Sequence, residues 1–179
     1  MAAGAWTGRI KANVPLPPSR DKFVKAHSLV LDGVVEATAL FVDFVPKKGK
    51  MSSNEIYPRS SETYCCGESQ VVDLPDSVCK VEGDALCIET LKEFIFTVAP
   101  KLSQCRILKE QACFLPQSVD GKCVIGEVRG AEGCLMATGH YCWGILNSPA
   151  TGLAITELIV EGKSKSVDIS PFDPNRFQF

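Results

Sequence analysis

Ala137-Thr138-Gly139-His140-Tyr141-Cys142-Trp143-Gly144-Ile145-Leu146-Asn147-Ser148-Pro149-Ala150-Thr151-Gly152 is the stretch on which the reading of this chain turns. It follows a short apolar strand, Cys134 to Ala137, and opens into a loop with two glycines and two aromatics. Ser148 and Pro149 then read as the N-cap and first residue of a helix. Leu153, Ile155, Leu158 and Ile159 give that helix a broad apolar face, and Gly162 closes it. Glycines let backbone approach a flat ligand closely, aromatic rings wall it in, and the N–H groups of a helix start favour negative charge.

Upstream, Cys105 to Phe114 and Lys122 to Val128 read as strands, separated by the turn Val119-Asp120-Gly121-Lys122, where Asp-Gly supplies a left-handed position. The strongest helix follows Asp84: Ile88, Leu91, Ile95 and Val98 recur at three- and four-residue steps until Pro100 stops it. That stripe is core packing. Further upstream, His27 to Leu31 and Thr38 to Phe44 are strand-like, with a break at Gly33. Lys47 to Ser53 reads as an exposed polar loop, and Glu55 to Arg59 and Thr63 to Gly67 as two short strands across Ser60-Ser61-Glu62. Pro75 to Gly83 is a connection. The pattern predicts an α+β chain: an antiparallel-rich sheet with a packed helix, plus a separate strand–loop–helix piece.

Composition narrows the function. The 179 residues, 45% hydrophobic and 22% charged, suffice to bury a core and suggest about one domain. Nineteen basic against twenty-one acidic side chains leave a net charge of −2, without the basic stripe that nucleic acid demands. The longest apolar runs, such as Ala39 to Val42, fall far short of the ~20 residues of a spanning helix. Arg9, Lys11 and Arg20 near the start come without an apolar run, and Pro15, Pro17 and Pro18 would stop an amphipathic helix, so this stretch reads as part of the fold. The nine cysteines include no C-x-x-C pair, and only His27 and His140 could supplement them, so no metal site is expected. Cys65, Cys113 and Cys123 sit in apolar strands as small hydrophobes, and reduced thiols suggest the cytoplasm. His27 reads as a satisfied strand residue.

The loop from Ala137 to Gly152 resembles the C-terminal flavin-binding segment of the FAD-dependent oxidoreductases of the D-amino-acid oxidase type, which include glycine and sarcosine oxidases. Two further stretches carry the same resemblance in the same order. Ala2-Ala3-Gly4-Ala5-Trp6-Thr7-Gly8 is similar to the family's A-A-G-A-W-[ST] element, and Asp120-Gly121-Lys122-Cys123-Val124-Ile125-Gly126 to its D-G-x-P-x-I-G element. Between them, Ala26-His27-Ser28, Glu55-Ile56-Tyr57-Pro58-Arg59 and Cys66-Gly67-Glu68 are similar to its substrate-domain strands.

The resemblance implies FAD as cofactor, with Gly4, Ala5, Trp6, Gly139, His140, Trp143, Gly144 and Ile145 against it, and a small amine-like molecule as substrate. It implies that residues 1–18 and 116–162 belong to a split FAD-binding domain, 19–115 to a substrate domain, and 163–179 to a tail. Two departures matter. The chain has no G-x-G-x-x-G element to hold the pyrophosphate, so it is expected to be the C-terminal part of a longer enzyme, inactive alone and prone to self-association through the face left open. Leu115 stands where amino-acid oxidases of this type place a carboxylate-clamping arginine, which implies that a simple amino acid is not held in the usual pose. Arg59 and Arg129 are the substitutes to consider, no catalytic acid or base is identified, and the alternative is a non-catalytic binding or trafficking protein on the same fold.

Overall fold

The computed structural model describes residues 1–177 apart from 12, 15 and 19, so the expectation resting on Pro15 lies outside the described residues. The chain divides into two compact units: Val24–Phe114, here the inserted unit, and Met1–Phe23 with Leu115–Phe179, the flanking unit.

The inserted unit is built on a five-stranded sheet of β1 (Lys22–Leu31), β2 (Leu40–Phe44), β3 (Ser52–Pro58), β4 (Thr63–Asp73) and β5 (Ile107–Phe114). Their order is β2-β3-β4-β1-β5, and the pairs β2/β3, β3/β4 and β1/β5 are antiparallel. Helix α1 (Ala85–Val98) covers one face. Asp84 caps it as the sequence suggests, its Oδ1 accepting from the N–H groups of Leu86 and Cys87 at 3.0 Å each. Ile88, Leu91, Phe94 and Ile95 bury against Leu29, Leu31, Ile56, Cys65 and Leu102. Each large side chain buried in this way contributes about 2 kcal/mol.

His27, 1% exposed, ties this core to the helix cap. Its Nε2 accepts from the Asp84 N–H at 3.1 Å, which places the ring proton on Nδ1, and Nδ1 donates to the Glu68 carbonyl at 2.9 Å. It is the satisfied strand histidine that the sequence predicts.

Two strands run further than expected. β3 starts at Ser52, inside the stretch read as a loop, because Ser53 and Ser52 pair with Asp43 and Phe44 and their hydroxyls reach the carboxylates of Asp43 and Glu68. β4 continues to Asp73 past an irregularity at Gly67 (φ +152°) and Glu68 (φ +31°). A Cβ on Gly67 would fall on the side chain of buried Asn54, whose Oδ1 accepts the Glu68 N–H at 3.2 Å.

The flanking unit holds the antiparallel pair β6 (Val124–Glu127) and β7 (Leu135–Thr138), in register Val124↔Thr138, and helix α2 (Gly144–Glu161). Val124, Val128 and Met136 form its small core, joined by Met1, Leu16 and Phe177. The residues after Gly162 fold back onto this unit. The Arg176 guanidinium donates to both Asp120 oxygens, at 2.8 and 3.1 Å, and Asn175 bridges the Glu127 carbonyl and the Arg129 N–H.

Helix α2 corrects two expectations. It begins at Gly144, so Ser148 is not its N-cap and Pro149 lies inside it. Proline removes the N–H that Ile145 O would accept, and the Ser148 hydroxyl supplies the lost donor, reaching Ile145 O at 2.9 Å. Its apolar face is partly covered: Ala154 is buried and Ile155 and Leu158 are half-buried, while Leu153, Ile159 and Val160 are 50%, 64% and 75% exposed. Gly162 does close the helix, in the left-handed conformation at φ +74°.

Candidate functional site

Two segments distant in sequence meet at the end of β7. Thr138 is buried there, its hydroxyl 3.0 Å from that of Thr7 and 3.3 Å from the Gly4 carbonyl, to which Thr7 also donates at 2.8 Å. These bonds fasten the 3-10 turn Gly4–Arg9 to the strand end. A cleft of about 40 Å³ lies between them, lined by Gly4, Ala5, Thr7 and Gly8 on one side and by Pro116, Ser118, Thr138 and Gly139 on the other.

Backbone shape makes the cleft. Gly4 and Gly139 adopt φ of +57° and +79°, and a Cβ on Gly139 would press within 3.3 Å of the Lys122 carbonyl. Beyond Gly139 the chain turns sharply through Tyr141, itself left-handed at φ +55° and held by its N–H donating to Pro116 O at 2.8 Å. The Asp-Gly turn behind it is locked by Asp120, which accepts from the Ser118 hydroxyl at 2.7 Å and the Lys122 N–H at 3.1 Å as well as from Arg176. The Arg176 guanidinium beside it, above all, holds the Asp120 carboxyl well below the usual carboxylate range.

Of the residues expected at the site, Gly4, Ala5 and Gly139 line the cleft together. Trp6 is half-buried in the turn beside them. His140 turns toward α2, its Nε2 3.0 Å from the Thr151 hydroxyl, and burial lowers its pKa. Trp143, Gly144 and Ile145 lie outside the cleft at the start of α2, with Trp143 60% and Ile145 93% exposed. That helix start has neither a side-chain cap nor an acidic residue in its first turn. Thr7, Thr138 and Tyr141 escaped the sequence reading. The two threonines left a faint signal, as hydroxyls in apolar surroundings, and Tyr141 left none.

The donor set fits one end of a flavin. A ring system needs backbone free of side chains, an apolar flank and a partner for the electron density it gains. Gly4 and Gly139 offer the first, exposed Trp143 and Ile145 the second, and the uncapped start of α2 the third. The cleft has room for a ring edge, not for three fused rings, so the chain presents a surface rather than an enclosed pocket. No G-x-G-x-x-G element is present for the pyrophosphate.

The family model described as FAD dependent oxidoreductase matches residues 1–158. The chain belongs to the FAD-dependent oxidoreductase family. Among its relatives, "Putative oxidoreductase TDA3" of Saccharomyces cerevisiae is 32% identical over 99% of this chain and 34% of its own length. Glycine oxidase of Geobacillus kaustophilus is 29% identical over 98% of this chain and 44% of its own. The crystal structure of that glycine oxidase superposes with a TM-score of 0.74 at 26% identity, again covering 98% of this chain and 44% of that one. The chain thus spans less than half the length of these relatives. Membership bears out the α+β fold and FAD as the family's cofactor, and favours the oxidoreductase fold-family reading over that of a binding or trafficking protein. Among the described residues no helix is long and apolar enough to cross a membrane, and no three metal-ligating side chains gather.

Proposed function

We propose that this chain carries the ring-facing loop and the substrate sheet of an enzyme that oxidises an amine C–N bond, and that its site of action is the cytoplasm. The observation that carries the reading is the Thr7–Thr138–Gly4 junction, which holds the Gly4–Arg9 turn and the Gly139 corner on one cleft beside the bare start of α2. When bound, the flavin supplies the chemistry by accepting a hydride. The residues of this chain orient its ring: Gly4, Ala5 and Gly139 admit an edge, Trp143 and Ile145 shield it from water, and α2 faces growing negative charge. Among the described residues no titratable side chain lines the cleft, so proton transfer falls to other groups or to the flavin. Leu115 cannot pair a carboxylate, which favours an amine over a simple amino acid. Nine free thiols support a reducing compartment, and the near-neutral charge supports a small-molecule partner rather than nucleic acid. The exposed face of α2 supports self-association of the isolated chain.

The test is a visible absorption spectrum. The chain alone, mixed with FAD and desalted, is expected to lack flavin bands. Fused to the part of Geobacillus kaustophilus glycine oxidase that this chain does not match, it is expected to show them and to lose them on adding a substrate amine under nitrogen. A folded fusion that stays colourless would remove the flavin reading, and a yellow one that no amine bleaches would remove the amine.

A further inference from the structure

Between β2 and β3 the chain turns through Val45-Pro46-Lys47-Lys48-Gly49-Lys50-Met51, a hairpin loop with three lysines and no acid. Lys47, Lys48 and Lys50 are all exposed. Among the described residues none of their ammonium groups pairs with a carboxylate. The whole chain carries a charge of −2, so the hairpin is a local excess of positive charge on a slightly acidic protein.

The loop is anchored, not loose. Pro46 is buried, and the Lys47 N–H donates to Glu93 Oε1 at 2.9 Å, which fastens the turn to α1. Gly49 is left-handed at φ +130°, and a Cβ there would press within 3.2 Å of the Pro46 ring. Phe44 and Pro46 take the inward places, Phe44 against Phe94 at 5.5 Å, and Val45 between them is turned outward. Val45 and Met51 stand one step beyond the last strand pair, Phe44↔Ser52, and are 68% and 65% exposed. A single exposed apolar side chain is ordinary, but two at the neck of a fixed cationic turn make an amphipathic tip.

We propose that the β2–β3 hairpin docks the protein on an anionic lipid bilayer. Lys47, Lys48 and Lys50 meet the charged headgroups, and Val45 and Met51 enter the boundary between headgroups and acyl chains. Charge decides the occupant. A second copy of the same loop would set three lysines against three. Lysine ammonium groups, hydrated point charges on flexible stems, suit a fluid array of headgroups, where the planar fork of arginine suits a partner of fixed geometry. The hairpin lies within the inserted unit, so its docking is independent of the flavin reading.

The test combines co-sedimentation with a reporter inside the loop. The full chain is expected to sediment with phosphatidylcholine vesicles containing about a third phosphatidylserine, and to stay in solution with phosphatidylcholine alone. Salt at about 0.5 M should release it. Lys48→Gln should weaken binding about fivefold, and replacing all three lysines by Gln about a hundredfold. Val45→Ser with Met51→Ser should weaken it about tenfold. None of these five side chains is buried, so the variants should keep the fold. Of the three methionines, Met1 and Met136 pack in the flanking unit, so 13C-methyl methionine gives one reporter and two internal controls. On bicelles of the same composition with nitroxide-labelled lipid, the Met51 signal should broaden and the other two should not. Absent or equal sedimentation on the two vesicle types, undiminished binding by the triple Gln variant, or a sharp Met51 signal in the bound state would overturn the proposal. Undiminished binding by the double Ser variant would also overturn it, since charge alone would then suffice and an acidic macromolecule would replace the bilayer.

Discussion

At the scale of single residues, the chain places polar groups where their loss is expensive. His27 satisfies two backbone groups from inside the core, the Glu68 carbonyl and the Asp84 N–H. His27→Phe keeps the volume and strands both, so the urea midpoint is expected to fall by the equivalent of about 3 kcal/mol with an unchanged slope. Gly67→Ala is expected to be at least as damaging, about 2 to 4 kcal/mol, since its methyl would need the space of the Asn54 side chain. Asp120 and Glu157 add a pH dependence. Asp120 is depressed mainly by Arg176, and Glu157 is held at about 2 mainly by the Ser166 hydroxyl. Depressed carboxylates contribute stability that is complete above about pH 5 and fades as pH falls through their folded values. The melting temperature should therefore drop below about pH 5, and Arg176→Met should flatten the part of that drop that belongs to Asp120.

At the scale of elements, α1 and α2 show what a sequence reveals. The cap, stripe and stop of α1 were all legible, because Asp84, Ile88, Leu91, Ile95 and Pro100 each act locally and agree. In α2 the local signs misled. Ser148-Pro149 is a good start signal, and only the hydroxyl bond to Ile145 O lets the helix run through it. β3 and β4 outran their apolar patterns because polar side chains hold them in place, Glu68 accepting from the Ser52 hydroxyl and Asn54 from the Glu68 N–H. In the candidate site, the glycines were legible from their need for left-handed backbone. The Thr7–Thr138 contact was not, since it joins residues 131 positions apart. Ile145 and Leu146, 93% and 70% exposed, give the element its own prediction. Changing both to Glu should leave the melting temperature within about a degree, because neither is buried, while sedimentation velocity shows the loss of self-associated species.

At the scale of the whole molecule, each unit owns its core: Leu29, Ile56, Leu91 and Phe94 serve one, Val124, Val128 and Met136 the other. A fragment of residues 22–116 should therefore unfold cooperatively by itself, which circular dichroism can read, and a gradual, non-sigmoidal loss of signal would contradict it. The inserted unit enters on β1 and leaves on β5, and Lys25 and Phe114 stand opposite each other in that antiparallel pair. This pairing sets an order of events in time. While the insert is unfolded, bringing Phe23 and Leu115 together means closing a loop of some ninety residues, at an entropic cost of about 4 kcal/mol. Once the insert is folded, its neighbouring ends have already met that cost. In pulse-labelled refolding, amide protection should accordingly spread through β1, β4 and β5 first, and reach β6, β7 and the Gly4–Arg9 turn only afterwards.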